Sequence, residues 1–220
     1  MNRVKWCEMI RTHSYSATGG HAVNEDAFVL HPLADGWLVA LADGQGGRVG
    51  GKRAAQVACE TALQHALTLP VVQLGDARVW ADILGRADAA VSADRDAGFT
   101  TLIGLYVQDS HVAGASAGDS AALAICGDAA PRVLTSRQFK NPPVGSGEAD
   151  FVPFEMGLAA PWRVLVMSDG VWKYASWDRV WDLAAWMSGD DLIRELEVAA
   201  SLKTTGELQD DFTVVLLESE

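Results

Sequence analysis

Two separated stretches of this chain run apolar and then stop on an acid, a third carries its acids just ahead of an apolar run, and that pattern limits the folds open to it. Leu38-Val39-Ala40-Leu41-Ala42 leads into Asp43-Gly44-Gln45-Gly46-Gly47. Arg163-Val164-Leu165-Val166-Met167-Ser168 leads into Asp169-Gly170, and Asp210 and Asp211 stand just ahead of the strand-like Phe212 to Leu217. Short apolar runs bounded by turn residues read as buried strands, so each acid is held at the end of a rigid, dry element. Carboxylates gathered where water is scarce must be paired, protonated or bound to a cation, because desolvation and repulsion otherwise destabilise the fold. The usual answer for several together is a divalent metal with oxygen ligands. No Lys or Arg is spaced along the sequence to neutralise these acids.

Composition narrows the class of protein. With 220 residues, 49% of them hydrophobic, the chain supports one sizeable core, and nothing in it reads as a linker, so residues 1–220 are expected to form a single domain. The formal net charge of −12 opposes nucleic acid and anionic membrane surfaces as partners and suits metal cations. Cys7, Cys59 and Cys126 are odd in number and widely spaced in apolar surroundings, which fits buried free thiols in a reducing compartment. Neither a signal-peptide stretch near Met1 to Glu8 nor an 18-residue apolar run is present. A cytoplasmic monomer is the expectation.

In chain order, Trp6 to Ile10 reads as a first strand and Arg11 to His21 as a polar, glycine-bearing connection. Asn24-Glu25-Asp26 then opens the apolar run to Leu30. Neighbouring side chains of an extended segment point to opposite faces, so Glu25 and Asp26 cannot both serve one point from the same side. One is expected to be a ligand and the other a support. Helices are expected over about Val49 to Leu69, stopping at Pro70, and from Asp76 as N-cap through an apolar stripe that includes Trp80, Ile83, Leu84, Ala87 and Val91. Phe99 to Val107, His111 to Ala117, Ala121 to Cys126 and Arg132 to Thr135 read as an antiparallel meander. A surface loop follows over Arg137 to Gly147, and Phe151 to Phe154 returns to a sheet. Beyond Asp169 two helices are expected, the second starting at a capping-box-like Ser188-Gly189-Asp190-Asp191, before the last strand. Trp162, Trp172, Trp177, Trp181 and Trp186 read as core packing rather than a binding surface.

Each acid motif alone is weak, since Asp-Gly is a common turn. Together, and with Gly98-Phe99-Thr100-Thr101 and Ala117-Gly118-Asp119-Ser120 between them, their order resembles the metal-dependent protein phosphatases of the PPM (type 2C) family over nearly the whole chain. The resemblance implies an α+β fold, a four-layer α-β-β-α sandwich with two central, mainly antiparallel sheets. It also implies a metal-dependent protein serine/threonine phosphatase that hydrolyses phosphoserine or phosphothreonine with water activated by two divalent cations, Mn²⁺ or Mg²⁺. By that resemblance Asp43, Asp169 and Asp210 are the catalytic acids and bridge or complete the metal pair. Glu25 and the main-chain carbonyl of Gly44 serve the second ion, and Asp26 stands as a supporting acid behind the ligands. An all-oxygen donor set independently favours Mg or Mn over Zn. The implied partner is a phosphorylated protein, and no Cys is placed as a nucleophile.

Departures from the family pattern carry their own expectations. His21 stands where an arginine usually grips the substrate phosphate; it either takes that task without a guanidinium's bidentate fork or is a plain loop residue. Gln45 replaces a histidine proposed as general acid. Lys173 replaces an acid that, with Asp119, helps hold a third metal, so Asp119 is either a third-metal ligand or a structural residue. These three substitutions motivate a rival reading, a catalytically weak member that binds phosphoproteins as a regulatory module. An acidic, Trp-rich interaction module without metal is a further rival.

Overall fold

The computed structural model describes residues 10–20, 22–45 and 50–219. Two five-stranded sheets stack face to face. One orders β1 (Ile10–Ala17), β10 (Phe212–Ser219), β9 (Trp162–Met167), β6 (Ala121–Cys126) and β7 (Arg132–Val133). The other orders β2 (Asp26–Leu33), β3 (Gly36–Asp43), β4 (Leu102–Gln108), β5 (His111–Ala117) and β8 (Val152–Gly157). All the strand pairs are antiparallel. Helices α1 (Gly51–Thr68), α2 (Val71–Leu74) and α3 (Ala77–Ala93) cover the second sheet, while α4 (Asp169–Ala175), α5 (Trp177–Trp186) and α6 (Gly189–Ala200) cover the first. This is the expected α-β-β-α sandwich.

Strand alternation sorts the apolar residues into three layers. In β3, Leu38, Ala40 and Ala42 face α1 and α3, whereas Val39 and Leu41 join the layer between the sheets. In β10, Phe212, Val214 and Leu216 face the other helices and Val215 and Leu217 the middle layer. Burying both faces explains why the runs read as continuously apolar rather than alternating.

Several sequence expectations are corrected. The first strand runs Ile10–Ala17, through much of the stretch expected to be a loop; Trp6 and Cys7 lie outside the described residues. Its edge position explains the misreading, because it pairs with β10 alone and Arg11, Ser14 and Tyr15 stay exposed. The expected meander is divided: β4 and β5 pair in one sheet, and β6 and β7 cross into the other. Three helices, not two, follow Asp169, and Ser188 makes no side-chain cap bond. Cys59 is buried, but Cys126 is only partly so. Of the late tryptophans Trp162 is core, Trp172 and Trp177 stack half-buried at 5.3 Å, and Trp181 and Trp186 are 38% and 86% exposed. Asp76 caps α3 as expected by accepting from the Arg78 N–H.

Candidate metal centre

At one end of the sandwich the middle layer turns from apolar to polar, and the same alternation dictates it. One step beyond Leu41, Phe28, Ile103, Ala122, Val166 and Val215 on the inter-sheet face come Asp43, Asp26, Thr101, Ser120, Ser168 and Thr213. Asp26 and Asp43 sit directly opposite each other in the β2–β3 register. A pocket of ≈ 410 Å³ opens there, and its lining includes Glu25, Asp43, Gly44, Gln45, Asp119, Asp169, Asp210 and Asp211. Lys140 and Lys173 are its lysines. Six carboxylates against two ammoniums leave a formal excess of four negative charges. The residues expected from the sequence therefore do converge, apart from Asp26, which is buried behind the pocket, and His21, which lies outside the described residues.

The backbone of Asp43 is clamped from both sides. Its N–H donates to Thr101 Oγ1 at 2.9 Å, and its carbonyl accepts from Thr100 Oγ1 at 2.8 Å and from the Thr101 N–H at 2.9 Å. Thr101 Oγ1 in turn shares a 2.7 Å hydrogen bond with Ser120 Oγ, joining the ends of strands from different sheets. Gly118 holds φ at +117°, where a Cβ would meet that of Thr101 at 2.5 Å, so only glycine lets this turn close on the clamp. The Thr-Thr and Gly-Asp-Ser motifs thus position the acid that ends β3.

Asp211 is spent on a different task. Its Oδ1 accepts from the Gly19 N–H at 3.0 Å and its Oδ2 from the Glu25 N–H at 2.7 Å, fastening the loop that delivers Glu25. Glu25 itself turns away from Asp26: a Cβ on Gly51, the first residue of α1, would lie 3.1 Å from Glu25 Oε1. The opposite-face argument from sequence matches this split.

Electrostatics at the pocket follow from burial. Desolvation first, then the negative charges of Asp26, Asp169, Asp119 and Asp210, raise the Asp43 pKa well above the usual carboxylate range. Asp169 is raised by burial and Asp119 and eased by Lys173. Burial lifts Asp26 to about 7. Its carboxylate oxygens lack a hydrogen bond of good geometry among the described residues, although the nearby Thr213 and Ser168 hydroxyls temper the rise.

One expectation is overturned here. Lys173 Nζ stands 3.5 Å from Asp169 Oδ2 and 3.7 Å from Asp210 Oδ2, and Lys140 pairs with Asp119. Two lysines therefore do partly neutralise the acids. Lys140 comes from the loop, 21 residues from its partner, a separation that leaves no local sequence signal. Among the described residues no three acid, histidine or cysteine side chains are gathered closely enough to hold a metal ion. The remaining charge, the raised carboxylates and the oxygen-only donor set nonetheless fit divalent cations.

The comparisons agree with the fold. The family model described as Protein phosphatase 2C matches residues 15–204, and the chain belongs to that family of phosphoprotein phosphatases. Among solved structures, a bacterial serine phosphatase superposes with a TM-score of 0.81 at 18% identity, covering 96% of this chain and 98% of its own. The serine/threonine phosphatase Stp1 from Staphylococcus aureus gives 0.79 at 18% identity, covering 100% and 99%. The catalytic domain of the serine threonine protein phosphatase PstP, solved with 2 manganese ions, gives 0.75 at 22% identity, covering 95% and 97%. The comparison with curated proteins gives no match.

Proposed function

We propose that residues 1–220 form a single catalytic domain that removes phosphate from serine or threonine of a partner protein, using two Mn²⁺ or Mg²⁺ ions. The observation that carries this reading is the convergence of acids from five separate segments on one pocket with an uncompensated negative charge. In this reading Asp43, Asp169 and Asp210 hold the ions together with Glu25 and the Gly44 carbonyl, as the family resemblance implies. The relative solved with manganese supports the choice of metal. Bound ions would supply Lewis acidity for attack of water on a phosphomonoester and offset the charge that develops on phosphoryl oxygens.

The chain's own contribution is preorganisation. The Thr100–Thr101–Ser120 clamp removes the freedom of the Asp43 backbone, and Asp211 fixes the backbone at Glu25. Burial keeps the pocket floor dry, which strengthens every charge interaction above it. The net charge of −12 supports a partner that is neither nucleic acid nor an anionic membrane. Among the described residues, no helix is long and apolar enough to cross a membrane.

Hydrolysis of a phosphothreonine peptide tests the proposal directly. Turnover should vanish in excess chelator, return with Mn²⁺, and drop at least a hundredfold in Asp169→Asn, because losing a residue that holds the ions removes the charge that would offset the developing oxyanion. Full turnover in chelator would remove the metal-based reading. A peptide bound without turnover, in the presence of Mn²⁺, would favour the regulatory alternative.

A further inference from the structure

Lys173 lies one helical turn beyond Asp169 in α4, and its ammonium contacts both Asp169 and Asp210. Those contacts are charge contacts at 3.5 and 3.7 Å, longer than a short N–H···O bond, so one ammonium is shared between two carboxylates. The base of the side chain is well fixed. Val171 and Ala175 of α4 are buried in the helical layer, and Trp172 Nε1 donates to the Asp119 carbonyl at 3.1 Å. Lys140 closes the far side of the same acidic wall through Asp119.

We propose that Lys173 is a tethered counter-cation that competes with a divalent ion for Asp169 and Asp210, so that this chain fills its metal centre only at a raised metal concentration. The inference rests on the metal-centre reading above. An ion touching Asp169 Oδ2 at the usual ~2.1 Å would lie within about 5.6 Å of the ammonium if Lys173 stayed in place. Two cations that close repel. If the lysine instead swings out, its contacts with both acids are lost, and either route weakens uptake of the ion. The same ammonium relieves repulsion between Asp169 and Asp210 when no metal is bound, so it stabilises the metal-free fold. One side chain therefore moves two measurable quantities in opposite directions. Loss of a merely structural lysine would lower stability in both states without tightening the metal.

Calorimetric Mn²⁺ titration and thermal unfolding in chelator, applied to the full chain, test this. Lys173→Met should bind Mn²⁺ about tenfold more tightly, the effect of removing one partly screened charge a few ångström away. Its melting temperature in chelator should nonetheless fall below that of the parent protein. Lys173→Arg, which keeps the charge, should resemble the parent in both measurements. Equal or weaker Mn²⁺ binding by Lys173→Met, or an unchanged melting temperature in chelator, overturns the inference. Asp169→Asn separates the two levels. If the parent binds Mn²⁺ and Asp169→Asn does not, yet Lys173→Met is no tighter, only the counter-cation role fails. If the parent and Asp169→Asn bind alike, or neither binds, the metal centre and the inference fall together.

Discussion

At the scale of single residues, hydroxyl groups hold the backbone of Asp43 in place. Thr101 contributes one oxygen that accepts from Asp43 and shares a hydrogen bond with Ser120, and both partners lie at the dry end of the middle layer. Replacing it by valine keeps the shape and removes the hydroxyl, leaving a buried N–H and a buried hydroxyl without that partner. Stranded polar groups cost about 1–3 kcal/mol each. Thr101→Val should therefore lower the melting temperature by roughly 4–8 °C, from about 2 kcal/mol at ~2–4 °C per kcal/mol for a chain of this size. Thr101→Ser should recover most of the loss, and a valine variant as stable as the parent would show that the clamp does not hold Asp43.

At the scale of elements, the loop from Arg137 to Gly147 is on the surface as expected, but it is tied down along its length. Val144 exchanges backbone hydrogen bonds with Thr100 at 3.0 and 3.1 Å, and Gln138 Nε2 donates to the Ser120 carbonyl at 2.6 Å. Asp88, buried on α3, accepts from the N–H groups of Gly145, Gly147 and Ala149. A carboxylate that satisfies three backbone donors is an anchor, since otherwise those groups would have to find water. Asp88→Ala should destabilise the protein by about 2 kcal/mol and speed amide exchange over residues 144–149 well beyond that of β4 and β5. Unaltered exchange in that segment would mean that Val144 and Gln138 suffice. The loop carries Lys140 to Asp119, so its anchoring also shapes the wall of the pocket.

At the scale of the whole molecule, the proposed metal centre would link stability to ion occupancy. Asp26, with a pKa of about 7, and Asp43, held well above 3.8, keep their protons in the folded protein at pH values where the unfolded chain has released them. The folded state then binds more protons, so stability falls as pH rises between about 4 and 7. In chelator, the melting temperature should decline across that window, and Asp26→Asn should flatten part of the decline. Saturating Mn²⁺ should raise the melting temperature at pH 7 to 8, because a ligand at a hundredfold excess over its Kd adds ~2.7 kcal/mol by mass action. A melting curve indifferent to both pH and Mn²⁺ would contradict the linkage.

The sequence by itself determined the layered architecture and most of the acid set. Apolar runs such as Leu38 to Ala42 mark the buried strands, and strand parity carries the inter-sheet face of β3 from Leu41 on to Asp43. Asp169 and Asp210 are legible only as acids next to the ends of such runs, because Asp169 already opens α4 and Asp210 precedes β10. Tertiary structure alone decided what needs long-range closure: that β6 leaves β5 for the other sheet, that Ile10–Ala17 is an edge strand despite its polar composition, and that Asp211 grips backbone while its neighbour Asp210 lines the pocket. It also decided that Lys140 reaches Asp119 and Lys173 reaches Asp210, whereas the Lys173–Asp169 contact is a local i, i+4 pair of α4. The physical reason is that a side chain's own segment sets its direction, whereas its partner is set by whichever distant segment the packed core brings alongside.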